Sequence, residues 1–157
     1  MGISFVKNSI KTKLANKAEL KKWLSAVIKK EGFRTGKIYF SFIGDEELLA
    51  INKQFLNHDT YTDIITFDYN EEDIIHGEIF ISIDRVIENA IKNEVSFENE
   101  LHRVMVHGIL HLCGYTDKGK KHKLEMTSKE NEMLQLFSTS HSESDNPSFM
   151  AESISKK

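Results

Sequence analysis

The chain has one cysteine, Cys113, and one proline, Pro147. A lone cysteine excludes an internal disulfide framework, the usual brace of small secreted domains. Apolar residues occur only in short runs, far below the roughly 20 that a membrane-spanning helix needs. The opening Met-Gly-Ile-Ser-Phe-Val-Lys lacks the charged, apolar and small-residue sections of a signal peptide. It also offers no Ser or Thr where N-myristoylation requires one. No segment repeats. These absences point to a cytoplasmic protein with no membrane association.

What is present suits one globular domain. The 157 residues are 39% hydrophobic, enough for a single core. The net charge of −3 conceals an asymmetry: residues 1–40 carry ten Lys or Arg against Glu19 and Glu31, and the rest carries eleven basic against twenty-two acidic side chains. A basic region on an otherwise acidic chain suits contact with a phosphate backbone. The same lysines also suit the solvated face of one amphipathic helix.

Residues 3–7 alternate as a short strand. Asn16 and Glu19 have the spacing of a capping box, and Leu20, Trp23, Leu24, Val27 and Ile28 follow at helical intervals until Gly32. Ile38, Phe40 and Phe42 alternate as a second strand. Asp45 is expected to cap a helix ending near Phe55, and Leu56–Thr62 is a polar loop. Strands at about 63–69 and 74–82 flank the acidic turn Asn70-Glu71-Glu72-Asp73, which predicts a hairpin. Asp84 is expected to cap a helix carrying Val86, Ile87, Ala90 and Ile91. Ser96 opens another that runs to Cys113, with Gly114 as its left-handed stop. A last helix covers about 121–137, and the serine-rich residues 138–157 are expected to be a disordered polar tail. The expectation is one α+β domain over 1–137, a mixed sheet of about four strands packed with about five helices.

The chemistry concentrates on the helix that ends at Cys113. His107 and His111 are four residues apart, so their Cβ atoms lie within about 6 Å on one face, and two imidazoles can converge on one ion. The other faces carry Leu101, Met105, Val106, Ile109, Leu110, Leu112 and Cys113, so the helix is expected to be buried. Gly108 shares the histidine face and costs a helix interior about 1 kcal/mol relative to Ala; room for an ion, water or substrate would explain it. Past Gly114, Asp117 and His122 are the rival third ligands. Cys113 and His102 fall on the far side and are expected to be structural. The His-Glu-x-x-His helix of metalloproteases has a glutamate base between its histidines, and Gly108 stands in that slot.

The run His107-Gly-Ile-Leu-His-Leu-Cys-Gly-Tyr-Thr-Asp117 closely resembles the H-G-x-L-H-L-x-G-Y-D-H signature of the YbeY family, bacterial rRNA maturation factors and metal-dependent endoribonucleases. Thr62-Asp63-Ile64-Ile65-Thr66-Phe67 resembles the family's T-D-V-L-S-F strand, and Gly77-Glu78-Ile79-Phe80-Ile81-Ser82 its G-D-I-x-I-S strand. Ile51, Asn52, Phe55 and Asp59 also fall at family positions, and the matches span about residues 45–135. The resemblance implies a zinc ion, one per chain, held by His107, His111 and Asp117. It also implies a cytoplasmic protein, expected as a monomer, acting on 16S rRNA 3′ ends and in quality control of the small ribosomal subunit. The pattern is broken where Asp117 replaces the third histidine and Thr116 the aspartate before it, where Leu56 replaces a functional arginine, and where Tyr61 replaces a proline. With Leu56 unable to stabilise charge, His58 is the candidate to contact the scissile phosphate. Two other readings are a non-catalytic, zinc-stabilised ribosome-assembly factor and a metal hydrolase of small amides or esters.

Overall fold

The structure is a computed structural model and describes residues 2–6, 14–58 and 60–142. Its elements run β1 (Gly2–Val6), α1 (Lys17–Lys30), β2 (Arg34–Ile43), α2 (Asp45–Leu56), β3 (Ile64–Asp68), β4 (Ile74–Ser82), α3 (Ile83–Lys92), α4 (Phe97–Leu112) and α5 (Gly119–Ser142). The sheet order is β1-β2-β4-β3. The β1–β2 and β2–β4 pairs are parallel, and β3 joins β4 antiparallel as the expected hairpin. This is the α+β fold with a four-stranded mixed sheet and five helices. The last helix continues to Ser142, and the serine-rich stretch from 143 lies outside the described residues, as do Lys7 and Asp59.

Side chains alternate across a strand with a period of two, and the two faces of the sheet bury different sets. Ile38, Phe40, Ile75, Ile79 and Ile81 meet Leu20, Trp23, Leu24, Val27 and Ile28 of α1 and the apolar side chains of α4 in the main core. Ile65, Phe67 and Phe80 point the other way and pack with Ile43, Leu48 and Ile51 beneath α2. The five apolar residues of α1 read from the sequence are all buried.

Helix α4 touches α1, α3, α5, β3 and β4, which is why its apolar residues go all the way round. Gly108 has a different explanation from the one its position suggested. A Cβ there would lie 2.9 Å from Ile64 Cδ1 and 3.0 Å from Ile79 Cγ2. The glycine lets α4 lie close on the hairpin; it does not clear space for an ion. Gly77 of β4 belongs to the same seat, since a Cβ there would meet Phe67 O at 2.7 Å and Leu112 Cδ1 at 2.9 Å.

Three helix starts also differ from expectation. Asn16 precedes α1 in left-handed conformation (φ 58°) with no side-chain cap bond. Gly44, not Asp45, is the residue before α2, and Ser82, not Asp84, caps α3 by accepting from Arg85 N at 3.2 Å. The two aspartates serve across elements instead. Asp84 Oδ2 accepts from Asp45 N at 2.8 Å, and Asp45 Oδ1 accepts from Ser82 Oγ at 2.9 Å. Ser96 caps α4 as expected, accepting from Asn99 N at 3.0 Å.

Candidate metal centre

The centre is built by the end of one helix and the turn that follows it. Cys113 closes α4, Gly114 takes a left-handed conformation (φ +106°), and Tyr115 N reaches back to Leu110 O at 3.0 Å. This is the glycine-terminated reversal that ends many helices. It folds the chain over the last turns of α4 and returns Asp117 to the histidine face. Asp117 Oδ2 lies 3.5 Å from His107 Nε2 and 3.6 Å from His111 Nε2. The imidazoles stand edge to face with centroids 4.5 Å apart.

The far nitrogens of both rings are occupied. His107 Nδ1 is hydrogen bonded to Glu130 Oε2 at 2.5 Å, and His111 Nδ1 to the carbonyl of Tyr115 at 3.0 Å. Each partner is an acceptor, so each Nδ1 carries the proton, and a neutral ring then presents a bare lone pair at Nε2. Two such lone pairs and a carboxylate oxygen face one another with all three ligand atoms within 4.8 Å. Nitrogen with carboxylate oxygen is ordinary zinc-type ligation. His107, His111 and Asp117 therefore could hold a metal ion.

Glu130 went unnoticed in the sequence. It lies on α5 between Met126 and Met133, and all three are buried. A charge on the inward, apolar side of a helix was the one signal available. Arg103 Nη1 donates to its Oε1 at 2.9 Å and Arg103 Nη2 to Asn131 Oδ1 at 2.7 Å, so the carboxylate is held from both ends. Carboxylates placed behind a ligating histidine in this way fix its tautomer and orientation.

The surroundings separate the two histidines electrostatically. Burial pulls His107 down, but the hydrogen bond and charge of Glu130, with Asp63 and Asp117, outweigh it and hold its pKa above the ordinary histidine value. Burial and the neighbouring His107 push His111 below that value against the pull of Asp117. Asp63 shares the site, and burial raises its carboxyl pKa while His107 opposes the rise.

The three donors open into a cleft of about 420 Å³, also lined by Asn52, Leu56, His58, Tyr61 and Asp63. Asn52 is buried and donates to Thr60 O at 2.8 Å, while its own carbonyl accepts from His58 N at 3.1 Å. This one residue ties the loop after α2 to the cleft and brings His58 to its wall. His122 is elsewhere: it is exposed, its Nδ1 is bonded to Lys118 O at 3.0 Å, and it lines a separate hollow with Glu31 and Cys113. His102 packs edge-on to Trp23 and Phe137. Cys113 packs against the main core, and burial pushes its thiol up to about 12.

The profile of the family described as Endoribonuclease YbeY matches residues 3–138. A protein named endoribonuclease YbeY from Flavobacterium psychrophilum is 56% identical over 115 residues, 73% of this chain and 82% of that one. Its namesake from Phocaeicola vulgatus is 46% identical over 136 residues, 87% of this chain and 99% of that one. A solution structure of a Thermotoga maritima protein superposes with a TM-score of 0.58 at 30% identity, covering 92% of this chain and 97% of that one. On these matches, which run through the histidine helix, the sheet and the cleft loop alike, this chain belongs to the YbeY family.

Proposed function

We propose that this protein is a metal-dependent endoribonuclease that processes rRNA in the cytoplasm, acting as a monomer on the 3′ end of 16S rRNA in the small ribosomal subunit. One observation carries the reading: two histidine Nε2 atoms and Asp117 Oδ2 converge at the edge of an open cleft. His107, His111 and Asp117 hold the ion, a single zinc per chain. When bound, such an ion supplies a Lewis acid for a phosphoryl oxygen of the RNA backbone. Glu130 and the Tyr115 carbonyl keep the two Nε2 atoms available. His58, fixed to the cleft wall through Asn52, contacts the scissile phosphate.

Metal analysis of the purified protein combined with cleavage of a 16S rRNA 3′-end substrate tests this directly. The expected result is one ion per chain, lost in the His107→Ala, His111→Ala double variant, with cleavage abolished by chelator. Full metal content in the double variant would refute the site.

A second reading, a non-catalytic assembly factor stabilised by its metal, draws on another feature. Among the described residues lining the cleft there is no Lys or Arg, and Leu56 is one of them. His58→Ala and Leu56→Arg, assayed side by side, separate the two. A loss of roughly 10²–10³ in rate on His58→Ala supports the nuclease. Activity appearing only in Leu56→Arg favours the assembly factor.

A further inference from the structure

Among the described residues that line the cleft, the acidic and basic ones are Asp63, Asp117, His58, His107 and His111. An RNA strand entering it meets carboxylates and, among the described lining residues, no lysine or arginine. Beyond His58 and the ion the histidines would hold, the described lining offers no cation to phosphate, and a contact through a base would add grip there. Tyr61, in the loop between α2 and β3, lines the same cleft and keeps 48% of its surface exposed.

The ring is nevertheless held in place. Its hydroxyl donates to Glu46 Oε2 at 2.6 Å, and the Arg85 guanidinium lies over the ring 5.1 Å from its centroid. Arg85 is anchored in turn, with Nε and Nη2 each 3.1 Å from Asp45 carboxylate oxygens and Nη1 3.6 Å from Glu88. Its charge is thus already matched by two carboxylates, and what it gives Tyr61 is a fixed position. An aromatic ring fixed at its edge and over one face, with half its surface open beside a cleft, is prepared to stack with another flat group. Every nucleobase has such a face.

We propose that Tyr61 is a stacking platform for a nucleobase of single-stranded RNA entering the cleft, gripping the strand beside His107, His111 and Asp117 through a base. The proposal rests on the RNA reading above and adds a subsite to it. The family's usual proline at this position has no aromatic face, so the contact belongs to chains with a ring there.

The test is anisotropy of a fluorescein-labelled single-stranded RNA of about ten nucleotides, within the usual span of a single-strand site. It uses the metal-loaded full chain, with the RNA checked for integrity afterwards. Tyr61→Ala should weaken binding roughly 5- to 150-fold, the range measured for lost base stacking, without changing the salt slope, because a stack releases no counterions. Tyr61→Phe, which keeps the ring and loses only the bond to Glu46, should bind near the wild-type value. Tyr61→Trp should show emission quenched by the RNA, readable because the only native tryptophan, Trp23, is 4% exposed. On a strand of the same length with abasic sugars, wild type and Tyr61→Ala should bind alike.

Equal binding of the intact RNA by wild type and Tyr61→Ala would overturn the platform, as would a deficit that persists on the abasic strand. Tyr61 would then be a brace between α2 and α3, visible only as a lower melting temperature. If the wild type itself neither binds nor cuts RNA, the RNA reading falls and the platform with it. Wild-type binding with an indifferent Tyr61 removes the platform alone.

Discussion

His107 and His111 are the same amino acid on adjacent turns of one helix, yet burial of His107 is outweighed by Glu130, which holds it up, while burial and His107 push His111 down. One leans on a buried carboxylate and the other on a backbone carbonyl. The pair itself was legible in the sequence because i, i+4 spacing is a local property of a helix. Glu130 was not, since it is 23 residues from His107 and only the packing of α5 against α4 brings it near. If Glu130 orients the His107 ring, Glu130→Ala should weaken ion binding by about 10- to 100-fold. Competition with a chromophoric chelator measures this, and unchanged affinity would reduce Glu130 to a partner of Arg103. His122→Ala should bind the ion as the wild type does, because that ring is exposed and bonded to Lys118 O. Cys113 packs against the main core, where burial pushes its thiol up to about 12, and it serves packing and not the ion site.

At the scale of the element, helix extents followed from apolar spacing, while the caps depended on geometry between helices. The starts of α2 and α3 lie side by side, and there Asp84 binds the first amide of α2 while Asp45 takes the Ser82 hydroxyl and Arg85. A sequence scan assigns each aspartate to its own helix because it cannot see the neighbouring one. The seat of α4 on the hairpin carries a stability prediction. Gly108→Ala gains about 1 kcal/mol of helix propensity but forces a methyl group against Ile64 and Ile79, where overpacking costs about 1–3 kcal/mol. The expected outcome is a net loss of up to about 2 kcal/mol in denaturant unfolding. A stabilised variant would mean the isoleucines give way freely. Metal content should survive the change, since the glycine's role is packing.

The whole molecule separates its charges. Lys17, Lys21 and Lys22 are exposed on α1, the helix whose other side fills the core, and the Lys21 ammonium sits 5.6 Å from the Phe5 ring centroid. Lys13 lies outside the described residues. If this face follows an RNA backbone outside the cleft, Lys13→Glu, Lys17→Glu and Lys21→Glu together should weaken RNA binding and flatten its dependence on salt. The Tyr61 variants should leave that slope alone, so the two sets of changes report on different parts of one interface. RNA affinity indifferent to the triple reversal would leave these lysines as a solvated face.

The order and type of the elements, the hairpin, the burial of α4 and the histidine pair were decided by the sequence itself, because each depends on a period or spacing within a dozen or so neighbouring residues. Spacing could not choose between Asp117 and His122, since both follow Gly114 within eight residues. The reversal at Gly114 aims Asp117 at the histidines and leaves His122 on the outside of α5. The same limit applies to Glu130 behind His107, the isoleucines against Gly108 and the shared capping of α2 and α3. Each joins residues far apart in the chain, and a contact of that kind exists only after the helices have packed on the sheet.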